Sequence, residues 1–242
     1  MVGERRRDRE LAKSIAARLV VPDNQLDFLI ASEKSFIRWG DGETMAAWPH
    51  DMVFEPANEK LRSDLVSILR GSSEAAPYLL GLPLPPILRF RFLSRQRQLM
   101  WSRSLEILDR HLPDKVTVLD SFLFRTAKKM QRTAPRIDFQ SLVEQLPAPA
   151  MLVGNPHFIE TATALAEGRG KFWQAEPVEI PPNGVYAHKD LVVREVLSRW
   201  PRSNHRGVVF LSGGPGGKAI AHSLALQGVR VIDVGQIFLS DR

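Results

Sequence analysis

The 242-residue sequence contains no cysteine. That excludes disulfide staples, thiolate zinc sites and cysteine nucleophiles together, and leaves the redox compartment open. No apolar run approaches the roughly 18 residues that a membrane-spanning helix needs. The opening, MVGERRRDRELAKSIAARL, carries charges through the segment where a signal peptide requires an unbroken apolar stretch, so a cytoplasmic location is expected. There is no internal repeat and no long low-complexity segment. None of the 6 histidines falls into H-E-x-x-H spacing, which removes the common zinc-hydrolase signature. A G-x-S-x-G elbow is also missing, since Ser212 follows Phe210 and Leu211.

What is present suits a soluble globular chain: 44% apolar and 25% charged residues. The length lies near the upper end of what one core serves, so a single domain over residues 1–242 is expected, with 1–33 as a helical N-terminal extension. The net charge of +6 comes from arginines spread along the chain. Arg5, Arg6, Arg7 and Arg9 form the densest group. They suggest either contact with anionic headgroups or nucleic acid, or a solvated helix face. Glu4, Asp8 and Glu10 interrupt the group and favour the solvated face. Nucleic acid is not an expected partner, while peripheral membrane contact remains a candidate. Arg89, Arg91, Arg95, Arg97 and Arg103 form a second basic series along or just before a long helix, with one or two of them candidates to meet a diphosphate or an anionic acceptor.

Apolar periodicity predicts helices over 5–19, 24–33, 57–70, 88–111, 121–132, 158–167, 190–200 and 218–227. Short strands are expected at Phe36–Trp39, within Ala76–Pro86 ahead of a rigid proline loop, and at Val116–Leu119, Met151–Gly154, Val178–Ile180, Val208–Leu211 and Val229–Val234. The alternation argues for an α/β fold, Rossmann-like, with a mostly parallel sheet and helices on both faces. Such sheets bind ligands at the carboxyl ends of their strands.

Residues 207–235, GVVFLSGGPGGKAIAHSLALQGVRVIDVG, read as strand, glycine-rich turn, helix and strand. Glycines there allow close approach of a ligand, and a helix N-terminus offers unpaired N–H groups to phosphate. A P-loop would need glycine at 212 and Ser or Thr at 219, but the chain has Ser212 and Ala219. The dinucleotide fingerprint G-x-G-x-x-G/A is met by Gly214, Gly216 and Ala219, with Asp233 placed as a ribose-binding acid. Gly213, Gly214, Pro215, Gly216, Gly217 and Lys218 are thus candidate nucleotide contacts, with a ligand-free turn as the alternative. Asn155, at the end of a predicted strand, is a further candidate.

IRWGDGET, residues 37–44, places Asp41 and Glu43 on either side of Gly42, after Gly40. In an extended segment residues i and i+2 face the same way. The pair could then share one hard cation, Mg²⁺ or Mn²⁺, whose other ligands are substrate phosphates. An ordinary Asp-Gly turn explains the same spacing equally well.

SFIRWGDGE, residues 35–43, resembles the Ser-x-x-Arg-aromatic-Gly-Asp-Gly-Glu signature of the GT-D type bacterial glycosyltransferases, a family first described as a domain of unknown function. LSGGPGGKAIAHSLALQGVRVIDVGQI resembles that family's closing glycine-proline loop, helix and apolar strand. LVGNPHF and IPPNGVYAHKDLVVREVL are similar to its centre, and the likeness spans about residues 30–240. Gln236 departs from a usual histidine, and Gly217–Lys218 from a loop that often reads Pro-Thr-Ala. The resemblance implies a GT-D fold and transfer of a hexose from a nucleotide diphosphate sugar, UDP-linked by preference, to a glycan or glycoprotein. Asp41 and Glu43 would be the metal motif, and Arg38 would add a charge-assisted contact to the phosphates. Asp190 is a candidate base for an acceptor hydroxyl, against an ordinary helix-start carboxylate. The rivals are a dinucleotide-binding oxidoreductase, which leaves Asp41 and Glu43 idle, and a non-enzymatic binder of anionic surfaces.

Overall fold

Val208–Leu211 reads Val-Val-Phe-Leu, and all four residues are buried because successive strand side chains fill opposite faces. Val209 and Leu211 join one core cluster, Val208 and Phe210 the other. The same split holds for Phe36 and Ile37, Leu79 and Leu80, and Val231 and Ile232. A sheet buried on both sides is the consequence.

The computed structural model describes residues 2–48, 55–124, 139–146, 149–167, 175–200 and 207–235. Its elements in chain order are α1 (Val2–Arg18), β1 (Leu19–Val20), α2 (Gln25–Ala31), β2 (Ser35–Arg38), α3 (Asp41–Ala47), α4 (Glu59–Arg70), β3 (Tyr78–Leu82) and α5 (Leu84–Leu88). A 3-10 turn at Phe90–Phe92 leads to α6 (Arg95–His111), β4 (Val116–Asp120), α7 (Phe139–Gln145), β5 (Pro149–Gly154), α8 (Pro156–Glu167) and β6 (Val178–Glu179). A second 3-10 turn at Val185–His188 precedes α9 (Lys189–Arg199), β7 (Val208–Leu211), α10 (Gly214–Leu226) and β8 (Val231–Asp233).

The strands form one 8-stranded sheet in the order β1-β4-β3-β2-β8-β7-β5-β6. Every pairing is parallel. Residues of α1, α4, α6, α9 and α10 pack with one core, and those of α2, α7 and α8 with the other. The α/β architecture expected from sequence is therefore present, with helices on both faces.

Local chemistry sets the ends. Asn58 Oδ1 accepts the Lys60 and Leu61 N–H groups and starts α4, whose Leu61, Leu65, Ile68 and Leu69 form the buried stripe. Several expectations need correction. The N-terminal extension is not purely helical, because Leu19–Val20 pairs with Val116 and Thr117 at the sheet edge. The proline segment after β3 is a short helix, not only a loop, since Pro85 and Pro86 lie in its first turn, where a missing N–H costs nothing. The long helix begins at Arg95 behind Ser94, not at Leu88. A helix over 121–132 is not borne out at Ser121–Phe124, which form turns, and its remainder lies outside the described residues. Gln236 lies outside them as well.

Candidate active site

The two glycine-rich segments, from opposite ends of the chain, meet at the carboxyl edge of neighbouring strands. Phe36 of β2 pairs with Ile232 of β8, and Val209–Leu211 of β7 pair with Val231–Asp233 of β8. The turn after β2 and the turn after β7 therefore flank the end of β8. A Cβ placed on Gly42 would come 3.7 Å from Pro215 Cγ, so the first turns of α3 and α10 face each other.

Asp41 and Glu43 are not in extended backbone. Both lie in the first turn of α3, so the shared-face argument fails: on a helix, residues two apart point in nearly opposite directions. Asp41 is exposed, and its Oδ1 accepts the Gly42 N–H at 3.1 Å. Glu43 is buried, its Oε2 accepting the Gly40 N–H at 2.7 Å and its Oε1 lying 3.4 Å from Lys218 Nζ. The helix forms because Gly40 stands at the N-cap in extended conformation and Glu43 reaches back over it.

Lys218 is buried in the first turns of α10 and reaches Asp233 Oδ2 at 3.0 Å. Asp233 is fully buried at the end of β8. Its Oδ2 also accepts the Arg38 N–H at 3.0 Å, and its Oδ1 accepts the Gly235 N–H at 3.0 Å. Its carboxylate thus faces partners inside the protein, where the sequence had offered it to a ribose. The Arg38 guanidinium donates to Ser121 O at 2.6 Å and to Val234 O at 3.0 Å. Arg38, Glu43, Lys218 and Asp233 thus form one buried, charge-balanced floor.

Sequence reasoning missed two acids. Asp120, the last residue of β4, is buried and has its carboxyl pushed up to about 6, chiefly by burial, against hydrogen bonds from backbone N–H groups and the charge of Arg38. Its strand ends one place beyond β3 from the Gly40–Glu43 turn. Glu55 is also buried and accepts the Tyr186 N–H at 3.3 Å; the N–H groups of Gly216 and Val185 also reach it, and burial raises its carboxyl. A carboxylate of the chain itself therefore holds the Gly216 N–H, which the sequence offered to a phosphate. Position at a strand end was a usable signal for Asp120. None existed for Glu55, whose partners lie far along the chain.

The other predicted residues divide. Gly213 is the N-cap of α10, and Gly214, at φ +55°, is exposed beside it in a conformation that favours glycine. Gly217 is buried, and its N–H closes the first helical bond to Gly213 O at 2.8 Å. Asn155 accepts the Phe158 N–H at 2.9 Å and caps α8, and nothing among the described contacts joins it to the Lys218 network. Asp190 is exposed in the first turn of α9.

As a two-carboxylate chelate, Asp41 and Glu43 do not fit a metal, because Lys218 already faces Glu43 and Asp41 points away from it. No cluster of three or more acidic or histidine ligands exists among the described residues. Asp41 alone fits as one exposed oxygen ligand of a cation whose remaining ligands come from phosphates.

An all-parallel α/β sheet with these two turns at its carboxyl edge defines a Rossmann-like fold. Three solved structures share it. One, described as a selenomethionine-substituted domain of unknown function 1792, matches with a TM-score of 0.69 at 20% identity, over 95% of this chain and 82% of its own. A second, described as that highly conserved domain with a distinct glycosyltransferase fold, gives 0.67 at 20% identity, over 97% and 82%. The third, a new glycosyltransferase of the same domain type from Streptococcus sanguinis, gives 0.66 at 21% identity, over 90% and 82%. No protein-family profile and no curated protein matches the chain.

Proposed function

We propose that the protein transfers a hexose from a nucleotide diphosphate sugar, a UDP-hexose by preference, to a glycan or glycoprotein acceptor. The observation that carries this reading is the meeting of the Gly40–Glu43 and Gly213–Lys218 turns at one strand edge, within a fold shared with solved glycosyltransferase-fold chains over nearly the whole length. The diphosphate lies over the buried floor. It is met by the N–H groups and positive dipole at the start of α10, where Gly213 and Gly214 remain on the solvent side. Behind them the buried floor sets Lys218 and Arg38 against Glu43 and Asp233, fixed charges in a low-dielectric setting that are organised before the diphosphate leaves.

A divalent cation, Mn²⁺ or Mg²⁺, would be held by Asp41 and the donor phosphates, and would supply further neutralisation of the leaving group. Glu43 joins it only by giving up Lys218. Asp120, its carboxyl raised to about 6 chiefly by burial, is a candidate to take a proton near neutral pH.

The test is thermal stabilisation by a panel of nucleotide sugars, with and without Mn²⁺ or Mg²⁺. UDP-hexoses should raise the melting temperature and be slowly hydrolysed, and Asp41→Ala should remove the metal-dependent part. Stabilisation by NAD(P) in place of nucleotide sugars would overturn the reading.

A further inference from the structure

We propose that the surface built from the N-terminal half of α1, α5, the following 3-10 turn and the first turns of α6 docks on an anionic lipid bilayer. Four large apolar side chains stand out of the protein there: Phe92 is 72% exposed, Leu99 66%, Leu88 52% and Met100 51%. A phenylalanine so exposed is unusual for a water-facing surface, and four large side chains in one region mark an interaction site more than scattered exposure does. They are interleaved with exposed Arg89, Arg91 and Arg97, and no Asp or Glu occurs from residue 75 to 105. The Arg91 guanidinium lies 4.4 Å from the centre of the Phe92 ring.

Arg6, Arg7 and Arg9 of α1 belong to the same end. Ser102 Oγ donates to Asp8 at 2.6 Å, Ser14 Oγ to Asp109 at 3.2 Å, and Arg18 to Leu112 O at 3.2 Å, so α1 and α6 run side by side in the same direction. The start of α1 thereby lies beside the start of α6, where α1 also packs on α5 and the 3-10 turn. Arg6 and Arg7 have side chains 84% and 68% exposed. Glu10 and Glu106 pair with them, at 3.1 and 3.2 Å, while the stretch that carries Arg89, Arg91 and Arg97 has no acid of its own before Glu106. Sequence alone showed two separate basic series. The fold brings them to one end of the molecule and adds an apolar tip beside them.

Apolar tips ringed by arginine fit an interface between headgroups and acyl chains, where the rings and aliphatic chains sink and the guanidinium groups meet lipid phosphates. Nucleic acid would use the charge but leave Leu88, Leu99 and Met100 without a role. The surface also has a defined place relative to the candidate active site. β3 runs beside β2, with Arg38 opposite Gly81, and α5 starts two residues after β3 ends. Ser104 Oγ of α6 donates to Thr44 Oγ1 of α3 at 2.9 Å, so the docking helix braces the helix that carries Asp41. Resting on the glycosyltransferase reading, this placement makes the acceptor a membrane-presented one.

The experiment is co-sedimentation of the full chain with vesicles of phosphatidylglycerol and phosphatidylcholine, against phosphatidylcholine alone. Binding should require the anionic lipid and fall with salt. Arg89→Glu with Arg91→Glu should weaken it roughly 30-fold or more. Phe92→Ser with Leu99→Ser should abolish it while the melting temperature stays unchanged, since both side chains are in solvent. Stabilisation by UDP-hexose, measured without vesicles, should survive in the Phe92→Ser, Leu99→Ser variant, so failure of the docking surface and failure of the donor reading give different results. No binding to anionic vesicles, binding that ignores both pairs of substitutions, an RNA oligonucleotide bound through the same arginines, or a dimer that Phe92→Ser dissolves would each overturn the proposal.

Discussion

The Lys218 ammonium lies 3.0 Å from the carboxylate of Asp233, with both side chains almost wholly out of solvent. Glu43 shares the same ammonium from the other side. Removing the lysine leaves two buried carboxylates facing each other's field. Lys218→Met should therefore cost about 3–5 kcal/mol of stability at neutral pH, read by urea unfolding. Lys218→Arg, which keeps the charge, should lose less. An equal loss in both variants would place the cost in packing instead.

Asp41 and Glu43 should separate sharply in stability despite standing two residues apart. Asp41 is exposed and contributes to stability mainly through the dipole of α3, so Asp41→Ala should cost within about 1 kcal/mol. Glu43→Ala loses the hydrogen bond to the Gly40 N–H and the Lys218 partner together, for roughly 2–4 kcal/mol. Equal costs in thermal unfolding would mean that the two carboxylates share one environment.

Asp120 gives a pH signature. Its folded carboxyl, pushed up to about 6 chiefly by burial, lies above its unfolded value of 3.8. The folded state thus holds the proton more tightly, and its stability contribution is present below the unfolded value and lost as pH rises through about 6. The loss is on the order of 3 kcal/mol. Asp120→Asn should flatten that part of the profile, gaining on the wild type from acid to neutral pH. Unfolding curves for both proteins across that window are the measurement.

Gly235 and Gly228 form a matched pair. Both have positive φ, +54° and +79°, so alanine strains the backbone at either. At Gly228 a Cβ meets open space, whereas at Gly235 it runs into the Arg38 guanidinium. Gly228→Ala should cost about 1 kcal/mol, and Gly235→Ala clearly more, roughly 2 kcal/mol or above. Only the second should also weaken nucleotide-sugar stabilisation, because only it moves Arg38.

Strand positions were legible because β-branched and apolar runs at Val116–Leu119, Met151–Gly154 and Val208–Leu211 have few other uses in a chain of this kind. The meeting of the two glycine turns was implied by the parallel-sheet reading. What escaped was conformation fixed by distant partners. Gly-Asp-Gly-Glu resembles a turn, and nothing within eight residues says that Glu43 will fold back over Gly40 and find Lys218. Asp233 occupied the right place in a fingerprint, but the Arg38 N–H and Lys218 that bury it come from β2 and α10. Side-chain commitments of this kind are tertiary facts. Phe92 and Leu99 read as ordinary apolar residues of a helical stretch, and only the packed structure shows that no core claims them.

The strand order also governs how the chain can be assembled. β2 sits against β8, and Arg38 and Asp233, bonded to each other, are 195 residues apart. At ordinary rates of synthesis β2 waits roughly 10–40 s on the ribosome before its permanent neighbour exists. Until then one apolar edge of β2, flanked by Phe36 and Ile37, has no native partner. The closing of the sheet is a late, long-range event whose loop-closure entropy slows folding, and during that interval the nascent chain depends on chaperones or on its own N-terminal helices to keep that edge from pairing elsewhere.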